Sequence, residues 1–317
     1  MCEPSEVGEN GLIYSGVGLK EFKYASISLS FVSTLINPFF IYLILNITLP
    51  GQLLSLLIML QITFEWLKSL GEIIHFFCPV IKRTPELWFN ILICHMWSST
   101  FLYTLLELFC KQNVVSMLIE RCFYALMPDK DLIYYPKTII AYHAFTLLYL
   151  LAINMGITIH VHVTPDGSCV LDIYDLNQHS YIVDLAFSLL SVIFTILLPI
   201  LIELVCLTII FWKLYRNKTN HRLINLPNDH IYKSRQNNIT IIIIIWSIIS
   251  LLLNFSDLFE ALLLQFQGYS YLARLIVILN DFLGSIEMLI HLFALLFYVD
   301  TIRSKFYTFV QNIFRRN

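Results

Sequence analysis

The stretch Cys94–Pro128, CHMWSSTFLYTLLELFCKQNVVSMLIERCFYALMP, decides how the rest of the chain is read. A helix needs about 20 apolar residues to cross a bilayer, and this stretch has them. Glu107 and Lys111 interrupt its middle. A cysteine stands at one mouth and Glu120-Arg121 at the other, with Pro128 beyond. The spacing predicts a membrane-crossing helix over 88–118 whose two ends carry different chemistry.

Outward from this stretch the composition agrees. The chain has 317 residues, 58% hydrophobic and 13% charged, with a mean hydropathy of +0.73. A soluble domain is roughly a quarter charged, so most of this chain belongs in lipid. A net charge of -2 argues against a nucleic-acid partner, which needs a basic stripe. The first residues carry Glu3, Glu6 and Glu9 where a cleavable leader would have a basic and then an apolar region. The first apolar helix is therefore expected to be its own targeting signal.

Six further stretches qualify as spans: 24–45, 53–77, 138–159, 182–215, 239–264 and 272–299. The fold class expected is an all-α membrane protein, a seven-transmembrane helix bundle with a C-terminal amphipathic helix. Residues 1–23 form an extracellular N-terminal tail, 24–299 the bundle, and 300–317 a cytoplasmic amphipathic helix and tail. In that last segment Ile302, Phe306, Phe309, Val310 and Ile313 recur at helical spacing among arginines and lysines, the pattern of a helix lying in the membrane interface.

Orientation follows from lysine and arginine, which favour the cytoplasmic side. With the N-terminus outside, thirteen of them fall inside, among them Arg121, Lys130, Lys213–Arg235 and Arg303–Arg316, against five outside. The expected location is the plasma membrane, multi-pass, with an extracellular N-terminus and a cytoplasmic C-terminus. Of four N-x-S/T sites, at Asn46, Asn217, Asn238 and Asn254, none then faces outside.

On this topology Cys94 and Cys169 both face the oxidising side, where a disulfide persists. A bond between them would pin the loop before the fifth span across the bundle. Cys78 is a rival partner. The seven cysteines contain no CxxC pair, which argues against a zinc site.

Ions within the spans form the next signal. Glu107 and Lys111 are four apart with glutamate first, the favourable order. Glu65 and Lys68 are three apart on the second span, and Glu287 and His291 four apart on the last. A charge at mid-membrane costs about 2.5–3.5 kcal/mol on insertion scales, so these side chains should turn inward and pair. We expect one buried ionic cluster of Glu65, Lys68, Glu107, Lys111, Glu287 and His291. A polar lock between helices accounts for it as readily as a binding site does. Trp97 and Tyr103, on the outer half of the third span, are ligand-pocket candidates, with ordinary packing as the competing account.

At the inner end, IERCFYALMP (119–128) resembles the E/D-R-Y-x-x-x-x-x-P segment of rhodopsin-like (class A) G-protein-coupled receptors. Seven spans, the Cys94/Cys169 pair, Asn37, Glu65, Pro199 and the terminal amphipathic helix are similar to the same family. The resemblance implies G-protein coupling through Glu120, Arg121 and Pro128, with Glu120 holding the guanidinium in the silent state. The chain departs from the pattern at Cys122, where the family has tyrosine. It departs again in the 27 positions between Cys94 and Arg121, about two more than the family's spacing. No proline follows Trp246, and ALLFY (294–298) stands where the family has N-P-x-x-Y. This is similar to a divergent invertebrate branch of orphan receptors.

The expected function is a cell-surface receptor without catalysis of its own. It would bind an extracellular ligand, a peptide sooner than an amine because Tyr103 stands where amine receptors carry aspartate, and activate a heterotrimeric G protein. Membrane lipid is the surrounding partner; no cofactor and no metal are expected. The alternative is an ion- or proton-coupled membrane transporter that uses the buried Glu, Lys and His. No HExxH or nucleophile elbow points to an enzyme.

Overall fold

A computed structural model of the chain describes residues 2–3, 17–46, 52–77, 80–81, 86–98, 101–126, 144–152, 161–163, 169–171, 189–220, 229–267 and 271–315. These are almost entirely helical. In order they are α1 Val17–Leu45, α2 Gln52–Phe77, α3 Leu87–Ile93, α4 Phe101–Leu126, α5 (144–152), α6 Leu198–Asn220, α7 Asp229–Gln267, α8 Tyr271–Tyr298 and α9 Asp300–Arg315. Two π turns, Cys94–Ser98 and Ile193–Leu197, precede α4 and α6.

Six helices are long and apolar enough to cross a membrane, within α1, α2, α4, α6, α7 and α8. Their outer faces are apolar: Leu35, Tyr42, Leu201, Leu252 and Phe297 are each at least 60% exposed. Such a continuous apolar surface has no place in water. The chain is a multi-pass membrane protein.

The helices pack in a ring. α1 lies against α2 and α8, α2 against α4, α4 against α6 and α7, and α7 against α8, which closes the circuit. α4 touches α2, α6 and α7. α5 covers nine described residues, and the remainder of the expected span 138–159 lies outside the described residues. Tyr149 of α5 packs edge-on against Phe194 at 5.9 Å, which sets it beside the π turn before α6.

The third expected span differs from its sequence reading. It begins at Leu87 as predicted, but the π turn at 94–98 interrupts it, and α4 runs to Leu126 instead of ending near 118. A π turn takes up extra residues within a helix. At the other end, the charges at 120–121 do not stop the helix, because Glu120 and Arg121 bond each other. α1 likewise starts at Val17, inside the stretch read as tail.

The buried apolar core sits in one half of the bundle. Leu54, Leu57, Ile58 and Ile62 of α2, Val114, Met117 and Leu118 of α4, Ile210 of α6, Ile242, Ile243 and Trp246 of α7 and Leu295 of α8 form one cluster. All lie toward the Arg121 end. α9 docks there too, through fully buried Ile302, an edge contact of Phe306 with Phe39, and Lys305 Nζ donating to the Asn46 carbonyl at 2.6 Å.

At the opposite end are two short strand pairs. Cys2–Glu3 (β1) pairs antiparallel with Val80–Ile81 (β2). Val161–Val163 (β3) pairs with Cys169–Leu171 (β4), with Cys169 opposite Val163. β3 rests on α3 and the following π turn, so the hairpin carrying Cys169 lies over the helix end that carries Cys94.

Candidate functional site

The half of the bundle nearer the hairpin carries a seam of ions and amides beside buried Phe101, Leu253 and Ile276. α4 supplies Glu107 and Lys111, one turn apart on its inward face. Lys111 Nζ lies 2.8 Å from Glu107 Oε1 and bonds Asp257 Oδ2 of α7. Lys68 of α2 reaches the same Glu107 at 3.6 Å and sits 5.3 Å above the Tyr103 ring. Two ammonium groups thus share one carboxylate between three helices. α8 approaches at Gly284, where an added Cβ would stand 3.5 Å from Lys68 Nζ. A methyl there would sit in ordinary contact with the ammonium, and a larger side chain would crowd it.

A second group lies one turn nearer the core. His291 Nδ1 of α8 bonds Glu65 Oε1 of α2, and Gln61 Nε2 donates to the same oxygen at 2.8 Å. Asn113 of α4 donates to Gln61 Oε1 and to the Leu57 carbonyl, both at 2.9 Å. Glu287 Oε1 is 3.7 Å from His291 Nε2. The other face of the imidazole lies on Trp246, ring centroids 4.5 Å apart. His291 and Trp246 are both fully buried. Glu65 Oε2 and His291 Nε2 have no hydrogen-bond partner among the described residues.

The expected cluster is therefore distributed as two groups. Glu65 and Lys68, three apart, do not pair with each other. A step of three residues rotates a helix position by about 60° and lifts it most of a turn, so Lys68 turns to α4 and Glu65 to α8. A small cavity of about 20 Å³ is lined by Lys68, Glu107, Lys111, Asp257 and Glu287, among others. It joins the two groups and has room for about one water.

Above the ions, Glu72 of α2 accepts from Tyr103 at 2.8 Å and from Ser30 of α1. Asn280 of α8 donates to Glu260 at 2.9 Å and to Asp257 at 3.2 Å. Tyr103 thus lies in this polar half. The Trp97 and Cys169 side chains and all of Pro128 lie outside the described residues. Cys94 is buried and disulfide-bonded.

At the far end of α4, Arg121 is only 2% exposed. Its NH2 group donates to Glu120 Oε1 at 2.6 Å and its Nε to the other oxygen. The Tyr124 ring covers the guanidinium at 4.9 Å. This is a closed, bidentate clamp within one turn of helix.

Sequence reasoning missed Glu72, Asp257, Glu260, Asp281 and Glu203. Each is an acid inside an otherwise apolar run, as in LLLNFSDLFEALL (251–263), and that signal alone would have found them. The partners of Glu72, Asp257, Glu260 and Glu203 lie on other helices, so no i, i+4 pattern marks them. Among the described residues no group of three or more His, Cys, Asp or Glu side chains is arranged to hold a metal ion. The arrangement offers charge pairing and hydrogen bonding. The chain matches no protein-family model and no curated protein.

Proposed function

We propose that the chain is a cell-surface receptor with seven spans and an extracellular N-terminus, related in plan to rhodopsin-like G-protein-coupled receptors. The observation that carries this reading is the pairing of features along one helix axis. Cys94, disulfide-bonded beneath a hairpin, lies at one end, and Arg121, buried and clamped by Glu120, lies at the other. α5 would be the visible part of the fourth span. The Cys94 partner would be Cys169, whose strand lies over this helix end. The two-residue excess between Cys94 and Arg121 coincides with the π turn at 94–98.

The polar seam would transmit the signal. A ligand at the hairpin end shifts an equilibrium only by binding one arrangement better than the other. The seam ties α2, α4, α7 and α8 through few, strong contacts, so a changed pairing moves helices as units. An outward movement of α7 at its Trp246 end would free Arg121 and present its five donors to a heterotrimeric G protein. α9, with Ile302 buried, Arg303 half-buried and Lys305 exposed, would lie along the cytoplasmic surface.

The test is co-purification with heterotrimeric G proteins from cells expressing the full chain. A complex that dissociates with guanine nucleotide, and is lost in Arg121→Ala, is expected. One specific observation favours a second reading, an ion- or proton-coupled transporter: the acids of the seam outnumber its two lysines. A pH-gated current without any G-protein complex would select it.

A further inference from the structure

A second cavity lies apart from the ion seam. Between α2 and α4 is a cleft of about 260 Å³ whose walls include Gly71, Ile74, Met96, Leu102, Tyr103 and Leu106. Volumes of about 300–1,000 Å³ are usual for small-molecule sites, so the space takes one slender apolar segment. Gly71 borders open space in it: a Cβ built there meets no atom within 4 Å. The cleft falls inside two membrane spans. Ile74 and Leu102, on its rim, are 44% and 37% exposed, so it opens sideways toward lipid. Gly71 stands six residues from the end of α2, about 9 Å of helix rise, within one leaflet.

We propose that this cleft is a binding site for one acyl chain of a bilayer phospholipid. At that depth hydrocarbon is what the rim meets, and the walls are apolar but for His75 and the Tyr103 ring. The site is coupled to the seam through Tyr103, which forms a wall of the cleft and also borders the small polar cavity. Its ring supports the Lys68 ammonium and its hydroxyl holds Glu72. A chain seated in the cleft fixes that ring, so lipid occupancy stabilises the ion pairing beside it. This inference does not depend on the receptor reading.

The experiment uses the full chain in nanodiscs containing phosphatidylcholine with a diazirine on one acyl chain. Label should concentrate on the peptides carrying Ile74 and Leu102, compared with the lipid-facing residues Leu201 and Leu252. It should be lost from those two peptides in Gly71→Leu, which fills the cleft, while labelling of Leu201 and Leu252 persists. In detergent, added phosphatidylcholine should raise the melting temperature of the native chain and leave that of Gly71→Leu unchanged. Leu106→Trp, filling from the opposite wall, serves if Gly71→Leu does not fold. Uniform labelling, or labelling undiminished in a folded filled variant, overturns the site. Labelling by a diazirine sterol or free fatty acid but not by the phospholipid overturns the assigned occupant.

Discussion

At the scale of single residues, Lys111 shows how an ion survives inside this bundle. Its ammonium has Glu107 at 2.8 Å and Asp257 across the helix interface. Removing one member of a buried pair leaves the other uncompensated and costs about 3–5 kcal/mol. Lys111→Met should therefore lower the thermal stability in detergent severely, and Lys111→Met combined with Asp257→Asn should recover part of the loss. Equal melting temperatures for the single and double variants would remove the pairing from the account. Trp246 makes a different point. Its indole is fully buried against His291, and Trp246→Ala should cost about 3–5 kcal/mol through the cavity it leaves, read by the same melting experiment. The glutamate–lysine spacing on α4 was legible in the sequence. That Trp246 covers His291 was not, because the two lie on different helices.

At the scale of elements, α9 is the clearest case of pattern becoming packing. Its apolar period was readable from the chain, and its docking is observed: Ile302 is fully buried and Phe306 meets Phe39. Ile302→Glu should undock the helix, making the backbone after Arg303 and Lys305 sensitive to trypsin while the six long helices stay inserted. Unchanged cleavage would mean that the Lys305–Asn46 contact suffices to hold it. α4 shows the limit of pattern. The apolar run predicted one uninterrupted helix, whereas a π turn breaks it at Cys94–Ser98. Hydropathy registers how apolar a stretch is and carries no sign of whether the backbone bonds to the fourth or the fifth residue back. Gly284 adds a local constraint: Gly284→Ala should be tolerated and Gly284→Leu should displace Lys68, measured as lost stability in the larger variant only.

At the scale of the molecule, the bundle is divided across its length. Leucines and isoleucines dominate the Arg121 half, and a seam of ions and amides runs through the half under the hairpin. The apolar half needs no partner specificity, since its contacts are non-directional. The polar half tolerates few alternatives, because each buried charge must meet its partner. At that same end the Cys94 disulfide restrains the helix entry. Reduction by a membrane-permeant thiol, or Cys94→Ser, should lower stability by about 2–4 kcal/mol, seen as matching falls in melting temperature. A fall in one without the other would show that the bond does not carry the restraint.

By itself the sequence determined that the chain lies in a membrane, roughly where its six long helices run, and that Glu65, Lys68, Glu107, Lys111, Glu287 and His291 are stranded in them. These follow from composition and from periodicities along one helix, which are local properties. The tertiary structure alone decided which ions meet. It sent Lys68 to Glu107 and Glu65 to His291, brought Asp257 to Lys111 across 146 positions of chain, and opened a cleft at Gly71. The physical reason is that a charge in hydrocarbon needs a partner within a few ångströms, and only the ring order of the helices determines which partner is that near.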